Sequence, residues 1–178
     1  MLGITAEDCV SWCRRHGYLA PQAHGSSSNQ CPTPSGGDQF TEVQLQFPTD
    51  PGRKVRLARD VIRWLAGSSE LLVWVTVWDV YSFHQHTPLF TRLREALGEP
   101  RPLDEAPGHL LTVDELDDAI SVLVTAFYFY WSCRVYSAQL RPVFFTTHDE
   151  RCGFLVATGL DASTVVNSMS VWSPRILP

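Results

Sequence analysis

Thr112-Val-Asp-Glu-Leu-Asp-Asp-Ala-Ile-Ser-Val-Leu-Val-Thr-Ala-Phe-Tyr-Phe-Tyr-Trp131 is the stretch on which the reading of the fold turns. Thr112 followed three residues later by Glu115 is a capping-box signature. The acids of the first turn suit the positive end of a helix. The helix read from Val113 has a narrow polar stripe of Asp114, Asp117, Asp118, Ser121, Thr125 and Tyr128. Such a helix is mostly buried, or its second apolar side at Val122 and Phe129 meets a partner. Beyond it, Arg134–Ala138 and Pro142–Thr146 read as a hairpin around Gln139-Leu-Arg141. The second strand runs out in Thr146-Thr-His-Asp-Glu150, which places His148, Asp149 and Glu150 at a strand exit. Connections of that kind often carry function.

The same logic extends upstream. Glu70–Ser82 is apolar on both parities, with Leu71, Val73, Val75 and Val77 set against Leu72, Trp74, Thr76 and Trp78. A strand buried on both faces reads this way, so helices are expected on both sides of the sheet. Arg53–Ala66 is an amphipathic helix: Leu57, Ala58, Val61, Ile62, Trp64 and Leu65 share one face, and Arg56, Arg59 and Arg63 line the other. Thr5-Ala-Glu-Asp8 caps a short helix that stops near Gly17. Val43, Leu45 and Phe47 alternate with polar residues, as in a half-exposed edge strand. Such an edge would let a second copy pair, giving a homodimer. Thr87 and Pro88 are placed as N-cap and first residue of a helix ending at Gly98.

Glu99–Leu111, with three prolines, reads as an irregular connection. Asp149–Ala157 reads as a short helix, and Val165–Trp172 as a last strand or a docked extension. The resulting order is one α+β or mixed α/β domain over residues 1–178, with a four- or five-stranded mixed sheet flanked by helices. Residues 21–39, rich in Ser, Gly, Pro and Gln, read as a flexible loop. Residues 159–178 read as a C-terminal extension.

Composition bounds the function. The 178 residues are enough for one sizeable core. A net charge of -5 argues against generic binding to nucleic acid or to an anionic membrane. No apolar run approaches the roughly 20 residues of a membrane span, and the opening residues lack the plan of a secretory signal. Five cysteines without paired spacing suit free thiols in a cytoplasmic protein. Cys9 and Cys13, four apart on one helix, read as small buried hydrophobes.

Charge is polarised along the chain. Glu99–Asp118 holds seven acids against Arg101 alone, whereas Arg53, Lys54, Arg56, Arg59 and Arg63 face only Asp60. The two segments read as solvated faces, as mutual partners, or as a surface that steers a basic partner.

Several residues are candidates for chemistry. His148 can serve as a general base or metal ligand with a neighbouring carboxylate to orient it. Asp149 and Glu150 equally suit a helix N-terminus. His84-Gln-His86 is an H-x-H pair that, with His148, could hold a metal; as ordinary loop histidines they need no metal. His109, in Glu105-Ala-Pro-Gly-His109, sits in a turn beside acids. There is no G-x-S-x-G elbow, P-loop, G-x-G-x-x-G or C-x-x-C.

Leu93-Arg94-x3-Gly98, Ala106-Pro-Gly-His109, the acidic-then-apolar helix ending at Trp131, and Thr147-His-Asp-Glu150 together resemble a set of uncharacterised bacterial α/β proteins. Those carry an A-P-G-H turn and a (S/T)-H-D-E block, and tend to have Ser where this chain has Thr147. The likeness covers roughly residues 70–157. It implies a bacterial origin and a compact α/β fold, and no activity.

The expectation is therefore a non-enzymatic cytoplasmic protein-binding module without cofactor, with an immunity-type inhibitor of a basic toxin as its most concrete form. Asp114, Asp117, Asp118 and Tyr128 would carry binding. The alternative is a small metal-dependent or His/carboxylate hydrolase built on His148, Asp149 and Glu150. Anion binding through Arg56, Arg59 and Arg63 is a third reading, opposed by the overall charge.

Overall fold

Leu71 to Val77 sets the architecture. Leu71, Val73 and Val75 on one side and Leu72 and Trp74 on the other are all buried, so each face of this strand needs a covering layer. The computed structural model describes residues 1–19, 31–34, 40–67, 69–78, 87–157 and 159–177. In chain order the elements are β1 (Leu2–Ile4), α1 (Ala6–Arg15), β2 (Tyr18–Leu19), β3 (Thr33–Pro34), β4 (Thr41–Leu45), α2 (Pro51–Ala66), β5 (Leu71–Val77) and α3 (Thr87–Ala96). They continue as β6 (Gly108–Leu111), a 3-10 turn (Val113–Glu115), α4 (Leu116–Tyr128), β7 (Ser132–Ser137), β8 (Val143–Thr146), β9 (Cys152–Val156), α5 (Gly159–Ser168), a second 3-10 turn (Ser170–Trp172) and β10 (Arg175–Leu177).

Eight strands form one sheet in the order β1-β6-β5-β7-β8-β9-β4-β10. Every neighbouring pair is antiparallel. β2 and β3 form a separate pair. On one face, Leu57, Val61 and Ile62 of α2, Ile120 and Leu123 of α4 and Val165 of α5 pack onto the sheet. On the other, Cys9, Trp12 and Cys13 of α1 meet Leu72, Trp74 and Tyr136. Each large side chain so buried contributes roughly 1.5–3 kcal/mol. Polar ties fix the thinner layer: the Trp12 indole donates to the Glu70 carboxylate at 2.6 Å, and the Tyr136 hydroxyl donates to the Pro32 carbonyl at 3.1 Å. The start of α1 is capped as read, with Asp8 N–H donating to Thr5 Oγ1, and Asp50, not read as a cap, accepts Arg53 N–H through Oδ1 at the start of α2.

Several expectations are corrected. The sheet is an eight-stranded antiparallel one, not a four- or five-stranded mixed one. β1, β6 and β10 are only three or four residues long, too short to display alternation. β6 also sits at the end of the proline-rich connection. Asp149–Ala157 is not a helix: Thr147–Arg151 closes a tight turn, with Thr147 N–H donating to the Arg151 carbonyl at 2.9 Å. β9 follows, buried along its whole length. A short apolar run cannot be told from a helix by period alone. The Val43–Phe47 segment is no edge, because β4 lies between β9 and β10. Val165–Trp172 is helix and 3-10 turn, and the last strand comes later at β10. Most of residues 21–39 lies outside the described residues; of them, Thr33–Pro34 pairs with Tyr18–Leu19.

The two true edges differ. At β1, Arg101 Nη2 donates to the outward carbonyl of Gly3 at 2.7 Å. Arg101 is itself gripped by Glu99 through Nε at 2.8 Å and Nη2 at 2.7 Å. The Glu99 carboxylate lies so close over Gly3 that a Cβ there would collide with it. A buried carboxylate and its partly exposed arginine partner thus cover this edge. At the opposite edge, Arg175 and Ile176 of β10 are exposed.

Within the sheet, β9 lies close against β4 at Gly153, where a Cβ would strike the Val43 carbonyl and lie 3.0 Å from the Gln44 Cα. Backbone on a neighbouring strand cannot give way as a side-chain tip can. Gly153→Ala is expected to lower stability by about 2 kcal/mol, read as a lower denaturant midpoint with unchanged slope.

Candidate functional site

The acidic segment divides into carboxylates used by the fold and carboxylates left to solvent. Glu99 is 4% exposed, and its hydrogen bonds from Arg101 hold its pKa down to about 2. Glu115 closes the capping box by accepting Thr112 N–H at 3.0 Å, and its other oxygen takes the Met1 amino group. Asp104, Glu105, Asp114 and Asp117 are exposed and Asp118 is half-buried. None of these five joins an ion pair among the described residues. Val113, next to Asp114 in the chain, is 42% exposed. The start of α4 therefore presents uncompensated negative charge around an apolar side chain.

Tyr128, at the far end of α4, is 41% exposed but already engaged. Its hydroxyl donates to the Pro51 carbonyl at 3.3 Å, and its ring faces Lys54 Nζ at 5.7 Å. Lys54 is the chain's only lysine and is 5% exposed. Phe47 and Tyr130 complete an aromatic cage around its ammonium at 5.2 and 4.6 Å, and it donates to the Phe127 carbonyl at 3.3 Å. Cation–π attraction and a carbonyl dipole together replace the water that burial removes. The cage pins the first turn of α2 to the last turn of α4, so the two helices run antiparallel. Arg56, Arg59 and Arg63 remain exposed on α2. Only Arg56 has an ion-pair partner among the described residues, Asp60 at 3.9 Å. The basic stripe and the acids of α4 do not neutralise one another.

At another place, where β5 and β8 end and β7 begins, the structure gathers a third group. His148 Nδ1 lies 3.4 Å from Ser132 Oγ, and His148 Nε2 lies 3.3 Å from Asp149 Oδ1. Ser132 Oγ also accepts the His148 main-chain N–H at 3.3 Å. The opposing strand carries a bulge between Val75 and Val77, where Thr76 Oγ1 donates to the Ser132 carbonyl at 3.2 Å. Glu150 does not join this group; it holds a left-handed backbone, φ 58°, that closes the β8–β9 turn.

His109 is placed elsewhere and is fully buried. It pairs with Val73 on β5, whereas Ser132 pairs with Val77, roughly 13 Å further along that strand at the usual rise. His109 Nδ1 bonds to the Val73 carbonyl at 3.1 Å, which assigns the proton to Nδ1. Among the described residues Nε2 has no partner, nor does Nε of the buried Arg94, whose Nη2 donates to the Ala106 carbonyl at 2.6 Å. Burial, reinforced by the Arg94 charge, lowers the His109 pKa to about 4. This imidazole is neutral and out of reach of a bulky substrate.

His84 and His86 lie outside the described residues. Among the described residues no group of three His, Cys, Asp or Glu side chains is arranged to hold a metal ion. All five cysteines are buried free thiols, and burial raises their pKa values.

Sequence reasoning did not single out Ser132 or the Lys54 cage. Hairpin register carries a signal for the first: folding the chain about Gln139–Arg141 brings Ser132 against the Thr147–His148 pair. The observed register, Cys133 opposite Thr146, continues to the same neighbourhood. Lys54 was visible as the single lysine, but its cage comes from three separate elements. No family model, curated protein or solved structure matches the chain.

Two measurements check this description. The unfolded chain binds a proton at His109 near pH 6.5 and the folded chain only near 4. Stability is therefore complete above about pH 6.5 and falls by about 3 kcal/mol as pH drops towards 4. His109→Gln should flatten denaturant midpoints across that window. Lys54→Met keeps the stem but removes the charge from the cage, and should cost about 1–2 kcal/mol in equilibrium unfolding.

Proposed function

We propose that this chain is a protein-binding module that receives a basic partner on the acidic start of α4, in the manner of an immunity protein capping a toxin. One observation carries the reading. Of the seven acids in residues 99–118, Glu99 and Glu115 are tied into the fold, while Asp104, Glu105, Asp114 and Asp117 stand exposed and unpaired among the described residues. The helix macrodipole favours the acids of the first turn, but no ion-pair partner among the described residues offsets the repulsion among the unpaired ones. A basic partner gains both attraction and orientation from them. Val113 supplies the apolar contact that such charged rims usually enclose. Tyr128 belongs to the Lys54 cage and contributes to binding only through its outer edge.

The test begins with co-expression of the chain with its genomic neighbour and measurement of association rates for the captured pair. Replacing Asp114, Asp117 and Asp118 together by Asn should slow association at least about tenfold at low ionic strength, with little change in high salt or in thermal melting. An association rate that neither the substitutions nor salt alters would remove the acidic surface from the binding role.

A further inference from the structure

Ser132, His148 and Asp149 lie in a row, with the His148 ring between a hydroxyl and a carboxylate. Ser132 Oγ sits 3.4 Å from His148 Nδ1, and His148 Nε2 sits 3.3 Å from Asp149 Oδ1. Because Ser132 Oγ accepts the His148 main-chain N–H, its own hydrogen is free to point at Nδ1. In the tautomer that leaves Nδ1 unprotonated, Nδ1 accepts that hydrogen and Nε2–H lies 3.3 Å from the Asp149 carboxylate. That is the nucleophile–base–orienter relation of covalent catalysis, at the loose distances usual before substrate binds. The His148 side chain is 35% exposed, so a substrate can reach it.

The surrounding backbone adds independent observations. The β5 bulge faces Ser132, and bulges often re-aim a side chain beside an active site. Tyr130, two residues before Ser132, and Glu150, two residues after His148, both take left-handed conformations, φ 54° and 58°. Such strain costs about 1–3 kcal/mol per residue and tends to collect at functional positions.

We infer that Ser132 is a nucleophile for acyl transfer from carboxylic esters, with His148 as its general base and Asp149 as a positioning residue. As Ser132 Oγ bonds to the acyl carbon, its proton passes to His148 Nδ1, and Asp149 stabilises the imidazolium through Nε2–H. Collapse of the tetrahedral intermediate breaks the ester C–O bond, and the leaving oxygen takes the proton from Nδ1. Water then attacks the acyl-serine, giving its proton to Nδ1. The serine leaves as the acid forms, and that proton returns to Ser132 Oγ. This activity is separate from the proposed binding and uses none of its acidic residues.

The test uses the full chain, a fluorophosphonate probe and p-nitrophenyl acetate. The probe should add once, at Ser132, with loss of fluoride, as located by peptide mass spectrometry. His148→Asn should slow labelling and ester hydrolysis at least about 100-fold. Asp149→Asn should slow both about tenfold, with Asp149→Glu restoring most of the rate. Thermal melting of each variant separates these effects from loss of fold, and the adduct position on the unaltered chain decides the matter without any variant. Absence of an adduct at Ser132 would overturn the proposal. So would labelling at an unchanged rate in folded His148→Asn. A folded Asp149→Asn with full rate would remove Asp149 from its role.

Discussion

The burial of β5 on both faces is the constraint on which the rest depends. Leu71, Val73 and Val75 cannot meet water on one side, nor Leu72 and Trp74 on the other. A β-strand in that position requires a three-layer solution. The chain supplies a thick layer from α2, α4 and α5, and a thin one from α1 with the small β2–β3 pair. The thin layer has few apolar groups, so hydrogen bonds from buried aromatic side chains reinforce it. Trp12 reaches Glu70, Tyr136 reaches Pro32, and the Tyr18 hydroxyl accepts Ser137 N–H at 3.2 Å.

What the sequence makes legible follows from element length. α2 and β5 are long enough for their apolar period to repeat, and both can be read directly. The β7–β8 hairpin is legible because its turn is flanked by aromatic alternation. β1, β6 and β10 hold too few residues to show a period. β9 is misread as a helix because Cys152-Gly-Phe-Leu-Val156 is apolar throughout, a property shared by buried strands and buried helices. These losses reduced an eight-stranded sheet to half its size. The Ser132 group is invisible for a different reason. It depends on register between strands, and register is set by the turn and by the bulge at Thr76 rather than by composition.

Charge in this protein has two uses that composition alone cannot separate. Glu99 is buried against the partly exposed Arg101, and Lys54 is held by aromatic faces. Such groups are costly to bury, and they persist because geometry satisfies them. The exposed acids at the start of α4 favour the positive end of the helix but have no ion-pair partner among the described residues. The same residue types therefore report on folding in one place and on a surface field in another, and only burial tells them apart. Tyr128 shows the converse. It is exposed by area, yet its hydroxyl and ring are committed to Pro51 and Lys54.

The unequal treatment of the two sheet edges has a consequence for how copies of this chain could accumulate. Growth of an open-ended fibre by strand addition needs two receptive edges on every unit, so that each newcomer presents a fresh template. Here the Gly3 carbonyl is occupied by Arg101, and Glu99 fills the space beside it. A unit joined through β10 would turn its sealed β1 edge outward. Edge pairing through the described strands would then stop at two copies related by a two-fold axis, a closed arrangement. The Glu99–Arg101 pair thus acts as a chain terminator for assembly, a role set by its location at one end of the sheet rather than by its strength.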